Sequence, residues 1–190
     1  MENLKYIALI LLIFCESALA NSKLECKVDQ FHVPNVEITV ANAPDIKKTS
    51  ASFMDDDNNY WHLAAYELHK KENLYLLKGM NNLTDSKAII TIALRNYINR
   101  LEDKMFYTTH LRESFPVSIS TLSGSGYIID ATFDDSTVNE TFAFWMIVKD
   151  DKIFFGDLHI TTDMVEPSIQ VAQERLTDFI KTCEIVADYT

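Results

Sequence analysis

The chain has 190 residues, 47% of them hydrophobic and 24% charged, with a formal net charge of −11 at pH 7. A length of this order suits one domain with a core of its own. The negative balance disfavours nucleic acid and anionic membrane surface as partners; it is compatible with a metal ion or a cationic protein.

Met1 to Ala20 begins the chain with Lys5 ahead of the apolar run Tyr6 to Phe14, and closes on Ala18-Leu19-Ala20, a small-x-small cleavage signature. The spacing predicts a secretory signal peptide over residues 1–20 and a single exported α+β domain over 21–190. An apolar core of about ten residues is about half of what spans a bilayer, so a short anchoring helix is the weaker alternative. Cleavage removes Glu2, Lys5 and Glu16 and leaves a net charge of −10. Cys15 departs with the leader, and the remaining pair, Cys26 and Cys183, predicts a disulfide in an oxidising compartment. Such a bridge is expected to pin the first strand to the last helix; two buried free thiols are the alternative. The expected location is the periplasm of a Gram-negative bacterium, with the extracellular space as the second choice.

Phe31 to Val40 alternates around Pro34 and reads as two short strands or one edge strand. Ala51 to Met54 and Tyr60 to Leu68 flank the polar stretch Asp55-Asp-Asp-Asn-Asn59, which predicts a hairpin. In its second arm Tyr60, His62, Ala64, Tyr66 and Leu68 share one face, and Trp61, Leu63, Ala65 and Glu67 the other. Both faces are largely apolar, so this strand belongs inside the sheet.

Between Asn82 and Met105 the period changes. Ile90, Leu94, Tyr97 and Leu101 recur at helical spacing, and Thr84 or Asp85 can cap the start. A second helix is expected from near Pro167 through Ile169, Ala172, Leu176, Phe179 and Ile180 to Cys183. Between the helices, Val117 to Leu122 reads as a short strand and Gly124-Ser-Gly126 as a turn. Tyr127 to Phe133, Thr141 to Lys149 and Lys152 to Ile160 read as strands, the last two joined tightly through Asp150-Asp151. The order predicts an α+β sandwich, an antiparallel meander sheet packed with two long helices.

No catalytic set stands out. Gly124-Ser-Gly126 lacks the glycines two residues to either side that a nucleophile elbow needs, and a strand follows it. Five histidines, His32, His62, His69, His110 and His159, contain no helical i, i+4 pair. His62 and His159 can meet only if their strands are neighbours. The run Asp55 to Asn59 lacks the alternation, glycine and distal glutamate of a calcium loop. Asp134-Asp135 and Asp150-Asp151 read as solvated turns. No metal or other cofactor is expected. Asn82-Leu-Thr84 and Asn139-Glu-Thr141 are glycosylation sequons, relevant only in a eukaryotic secretory route. Of the aromatic residues, Phe142, Phe144, Met146 and Val148 share one strand face, with Trp145 and Ile147 on the other.

The hairpin arm starting at Tyr60-Trp61, the helix after Asn82, Gly126-Tyr127 leading into a strand, Phe142 to Phe154 and the closing helix together resemble the PsbP-like fold. That fold is named for the extrinsic photosystem protein and is shared by small secreted bacterial proteins. The resemblance covers most of residues 30–186, implies a PsbP-like α/β/α sandwich, and implies a binding or assembly role rather than catalysis. It transfers no functional residue. The expected function is therefore a non-enzymatic periplasmic interaction protein, in its sharper form an immunity protein that neutralises a delivered cationic toxin. Asp55, Asp56, Asp57, Trp61 and Trp145 are its candidate partner-binding residues. The alternative is a small-ligand or metal binder, and a hydrolase is third.

Overall fold

The computed structural model describes residues 22–43, 48–69, 75–80, 83–133, 139–162 and 167–187. The predicted signal peptide, Asn82 of the first sequon and the Asp134-Asp135 pair lie outside them. Seven strands form one antiparallel sheet: β2 (Thr39–Ala43), β3 (Lys48–Met54), β4 (Tyr60–His69), β5 (Tyr107–Ile119), β6 (Leu122–Phe133), β7 (Asn139–Lys149) and β8 (Lys152–Thr161). Their spatial order is β2-β3-β4-β8-β7-β6-β5. Strands β5 to β8 meander, and β8 then pairs with β4, so the sheet is two antiparallel runs joined at its centre and not a single meander. β4 lies inside the sheet between β3 and β8, as the apolar character of both its faces requires, with its Trp61 face buried and its Tyr66 face partly so.

Helix α1 (Ser86–Met105) carries the chain from the sheet centre to the far edge. Asp85 caps it, accepting from the Lys87 backbone N–H. Ile89, Ile90, Ala93, Tyr97 and Leu101 line its buried stripe against Phe142, Phe144, Met146, Phe155 and Ile129 of the sheet. Helix α2 (Ile169–Lys181) starts at a Ser168 cap and buries Ala172, Leu176, Phe179 and Ile180. Those side chains lie with Trp61, Leu63, Trp145, Phe154 and Leu158, on the opposite face of the sheet. Each such Leu, Ile or Phe removed from water stabilises the fold by about 1.5 to 3 kcal/mol. No helix among the described residues is long and apolar enough to cross a membrane.

Four further expectations are corrected. Only α1 is long; α2 stops after 13 residues. Cys183 does not continue that helix but opens β9 (Cys183–Ala187), which pairs with β1 (Ser22–Cys26) in a separate two-stranded ribbon. The Cys26–Cys183 disulfide is present, and it joins strand to strand. Residues 31–38 form no strand and pack as an irregular segment, with Phe31 and Val33 buried; the edge strand begins only at Thr39.

The fourth concerns Gly124-Ser-Gly126, which is not a turn but lies inside β6; the turn is at Ser120-Thr121. Its glycines answer a packing need. A Cβ on Gly126 would come within 2.3 Å of the Phe115 ring, and one on Gly124 within 2.0 Å of the Met146 carbonyl oxygen. The short strand expected from Val117 is the end of β5, a 13-residue edge strand broken by a bulge between Leu111 and Glu113.

Candidate functional site

The hairpin between β3 and β4 brings two of the candidate partner-binding residues together, facing inward. Asp55 accepts from the backbone N–H groups of Asp57 and Asn59, from the Asn59 amide at 3.0 Å and from the Trp61 indole N–H at 2.8 Å. Burial works to raise its pKa, but these donors prevail and hold the carboxyl below its ordinary value. Trp61, 1% exposed, stacks on Phe53 at 5.5 Å. Trp145 is fully buried, its indole against Gly156, where a Cβ would come within 2.4 Å of Nε1. Neither tryptophan presents a ring to a partner, because both lie under α2 in the core. Asp56 and Asp57 alone of the five are exposed.

The other face of the sheet is only partly covered. α1 packs over β5 and β7, and beyond it β4 and β8 floor a cavity of about 490 Å³. A short 3-10 turn at Tyr75–Leu77 closes one side. Alternation along the strands decides what faces it: His62, Tyr66 and Leu68 from β4, and Phe155, Asp157 and His159 from β8. α1 contributes Tyr97, Arg100 and Leu101. A larger groove of about 680 Å³ along the outside of α1 is walled by exposed side chains including Lys78, Arg95 and Lys104, with no strand beneath it. The sheet cavity is the better site, because its walls are fixed by the core.

His62 and His159 stand directly opposite each other across the β4–β8 pair, so the condition for their meeting is fulfilled. Each already has a partner. His62 Nδ1 bonds the Ser52 hydroxyl at 2.8 Å, and His159 Nε2 lies 2.5 Å from a Glu140 oxygen that also accepts from the Tyr107 hydroxyl at 2.6 Å. The His159 ring stacks on Phe142 at 4.4 Å. Burial, then the charges of Lys48 and His159, lower the pKa of His62 and keep its imidazole neutral. Among the described residues no group of three or more His, Cys, Asp or Glu side chains is placed to hold a metal ion. Ser52 and His62 have the partners of a nucleophile and base, but no acid among the described residues orients the ring, so the arrangement is a cross-strand pair.

Asp157 is the residue that sequence reading missed. Its side chain keeps some contact with the cavity, yet Oδ1 is fully enclosed and has no hydrogen-bond partner. Burial pushes its carboxyl up to about 6, against the opposing charges of Lys48 and His159. Three phenols, Tyr66, Tyr75 and Tyr97, are each raised, first by burial and also by the charge of Asp157.

A carboxyl whose folded pKa is raised makes the fold most stable below its unfolded value, near 4. That stability is lost as pH rises towards 6 and is constant above. Asp157→Asn is therefore expected to stabilise the protein at pH 7.5 by about 1 to 3 kcal/mol, with the advantage vanishing by pH 4. Urea midpoints of both proteins across this range check it; a variant less stable at pH 7.5 contradicts the assignment.

No protein-family model matches the chain, and no curated protein matches it. Solved structures similar to it include LpqN of Mycobacterium tuberculosis, described as involved in cell envelope biogenesis, at 9% identity and TM-score 0.49, covering 87% of this chain and 84% of that one. A cyanobacterial PsbP from Synechocystis aligns at 7% identity and TM-score 0.44, over 87% of this chain and 93% of its own. The Ran-binding protein Mog1p of Saccharomyces cerevisiae aligns at 11% identity and TM-score 0.45, over 84% and 87%. One of the three is thus a PsbP, from the fold family that the order of elements resembles.

Proposed function

We propose that this protein is an exported, non-enzymatic binding protein that holds one small organic molecule in the cavity between its sheet and α1. The observation that carries the reading is a preformed cavity of about 490 Å³ whose aromatic and apolar walls include the partly buried carboxyl of Asp157. Pockets of this size, mostly apolar with a few placed polar groups, are the usual form of a small-molecule site. The leader signature and the disulfide support export, with the periplasm as the compartment.

A thermal-shift screen of small organic metabolites against the oxidised protein tests the reading. A ligand at a hundred times its Kd raises stability by about 2.7 kcal/mol, a readily measured shift. A library that leaves Tm unchanged, together with an empty cavity by native mass spectrometry, overturns it. Neutralisation of a cationic toxin stands second, supported by the net charge and by the exposed Asp56 and Asp57. Its requirement is a stoichiometric protein partner lost on changing both residues to asparagine.

A further inference from the structure

We propose that the ligand of this cavity is an amphiphile with an anionic head and an apolar chain, the chain lying between the sheet and α1 and the head held at the border by Arg100 and the cations beside it. The inference rests on the small-ligand reading and names the chemical class.

The sheet cavity and the groove outside α1 share a border. Tyr75 from the 3-10 turn and Arg100 from α1 line both, so the two spaces meet where those side chains stand. On the cavity side Leu68, Leu76, Leu101, Met105, Phe142 and Phe155 offer apolar walls. On the groove side Lys78, Arg95, Arg100 and Lys104 stand against the carboxylate of Asp103, a local positive balance on a chain of formal charge −11. A cleft that is apolar at one end and cationic at the other is the complement of an anionic amphiphile.

The four cations lack counter-charges. All are exposed, and among the described residues none forms an ion pair. Arg100 and Lys104 stand four residues apart on α1, where like charges repel, and an anion between them removes that repulsion. The Arg100 guanidinium lies 4.3 Å from the Tyr75 ring centre, which fixes it at the border through its π face. No acceptor among the described residues takes its N–H donors, so they remain for a carboxylate or phosphate. The groove is also built: the Asn96 amide donates to the Leu76 and Lys78 carbonyls at 3.0 and 3.1 Å and fastens the 3-10 turn, with Tyr75 and Lys78, to α1. Asp157 sets the orientation. Its carboxyl faces the cavity from β8 and repels a second anion, so the head stays at the α1 border and the chain points inward. His62 and His159, bonded to Ser52 and Glu140, call for no ligand group.

The test titrates the oxidised protein with octanoate, octyl phosphate, octanol and octylamine at pH 7.5, each below its micelle concentration, by calorimetry or by chemical-shift changes. The two anions are expected to bind with one-to-one stoichiometry about tenfold tighter than octanol, with octylamine weakest. Added salt is expected to erode the anion advantage and leave octanol unchanged. Arg100→Gln with Lys104→Gln, both at exposed positions, is expected to remove that advantage while octanol binds as before. Either anion ahead of the alcohol supports the assignment, and the tighter of the two names the head. If octanol or octylamine binds as tightly as both anions, or if the double variant keeps the preference, the anionic head fails while the cavity reading survives. If inorganic phosphate binds as tightly as octyl phosphate, the groove takes anions by itself and the amphiphile assignment fails. If none of the four octyl compounds binds, the cavity reading fails with it.

Discussion

Replacing Cys26 and Cys183 together by serine is expected to lower the free energy of unfolding by about 4 to 5 kcal/mol, a fall of about 10 to 20 °C in Tm. The two cysteines are 157 residues apart in sequence, so the bridge closes nearly the whole domain. In the chain-entropy account the stabilisation grows with the logarithm of the loop, which places this bridge near the upper end of the usual range. The native contribution is local and specific. Cys26 and Cys183 face each other in the β1–β9 ribbon, with Cys183 buried among the side chains of α2. Losing the bridge leaves five backbone pairs to hold a ribbon that, among the described residues, has two strands. The serine double variant and the wild type treated with reductant should melt at similar temperatures, both well below the oxidised protein. Coincident melting of oxidised and reduced protein contradicts this.

The halves of this ribbon explain what was legible in the sequence and what was not. The cysteine pairing followed from compartment and parity, which are properties of composition. Its structural setting did not, because helical spacing runs unbroken from Ile169 through Cys183 and periodicity alone ends nowhere in that stretch. The helix stops where Thr182 turns back to the Phe179 carbonyl and the chain takes up the pairing that β1 offers. A partner distant in sequence outweighed a local preference. The same competition accounts for Gly124-Ser-Gly126. Local turn chemistry favoured a turn, yet the close approach of the Phe115 ring and the β7 backbone made glycine necessary within a strand. Elements with strong local rules were read correctly, namely the Asp55 hairpin, the Asp85 cap and the central position of β4. The first half of β5 carried no such rule, since an edge strand with exposed Thr108, His110, Arg112 and Glu113 has no apolar alternation to find.

The candidate site was less legible for a related reason. Tryptophan and runs of aspartate attract attention as surface anchors, but Trp61 and Trp145 supply core volume, and Asp55 is taken up by its own hairpin. The residue that marks the cavity, Asp157, stands in Ile153-Phe-Phe-Gly-Asp-Leu-His-Ile160, otherwise dominated by apolar residues. A lone carboxylate in such a strand is the signal that a buried polar group must be accounted for. Glu67, on the apolar face shared with Trp61, Leu63 and Ala65, carries the same signal and has a different resolution.

Glu67→Ala is expected to destabilise the protein by about 3 to 5 kcal/mol, an effect comparable to loss of the disulfide. The carboxylate is 2% exposed; one oxygen pairs with the Lys152 ammonium at 3.1 Å and the other accepts from the Leu24 backbone N–H at 2.9 Å. Its removal deprives a buried cation of this counter-charge and a backbone donor of its acceptor, and each loss carries a desolvation cost. It also cuts a hydrogen bond between β1 and the main sheet, which weakens the docking of the ribbon. Changing both members of the pair, Glu67→Leu with Lys152→Met, removes the two charges together. That variant is expected to recover most of the loss, because well-packed apolar groups replace a buried ion pair at little net cost. What it does not recover measures the Leu24 bond, about 1 to 2 kcal/mol for a backbone donor to a charged acceptor. Urea denaturation of the single and double variants separates these parts. A double variant as unstable as Glu67→Ala would assign the effect to β1 docking, and an undisturbed single variant would refute the ion pair as a structural element.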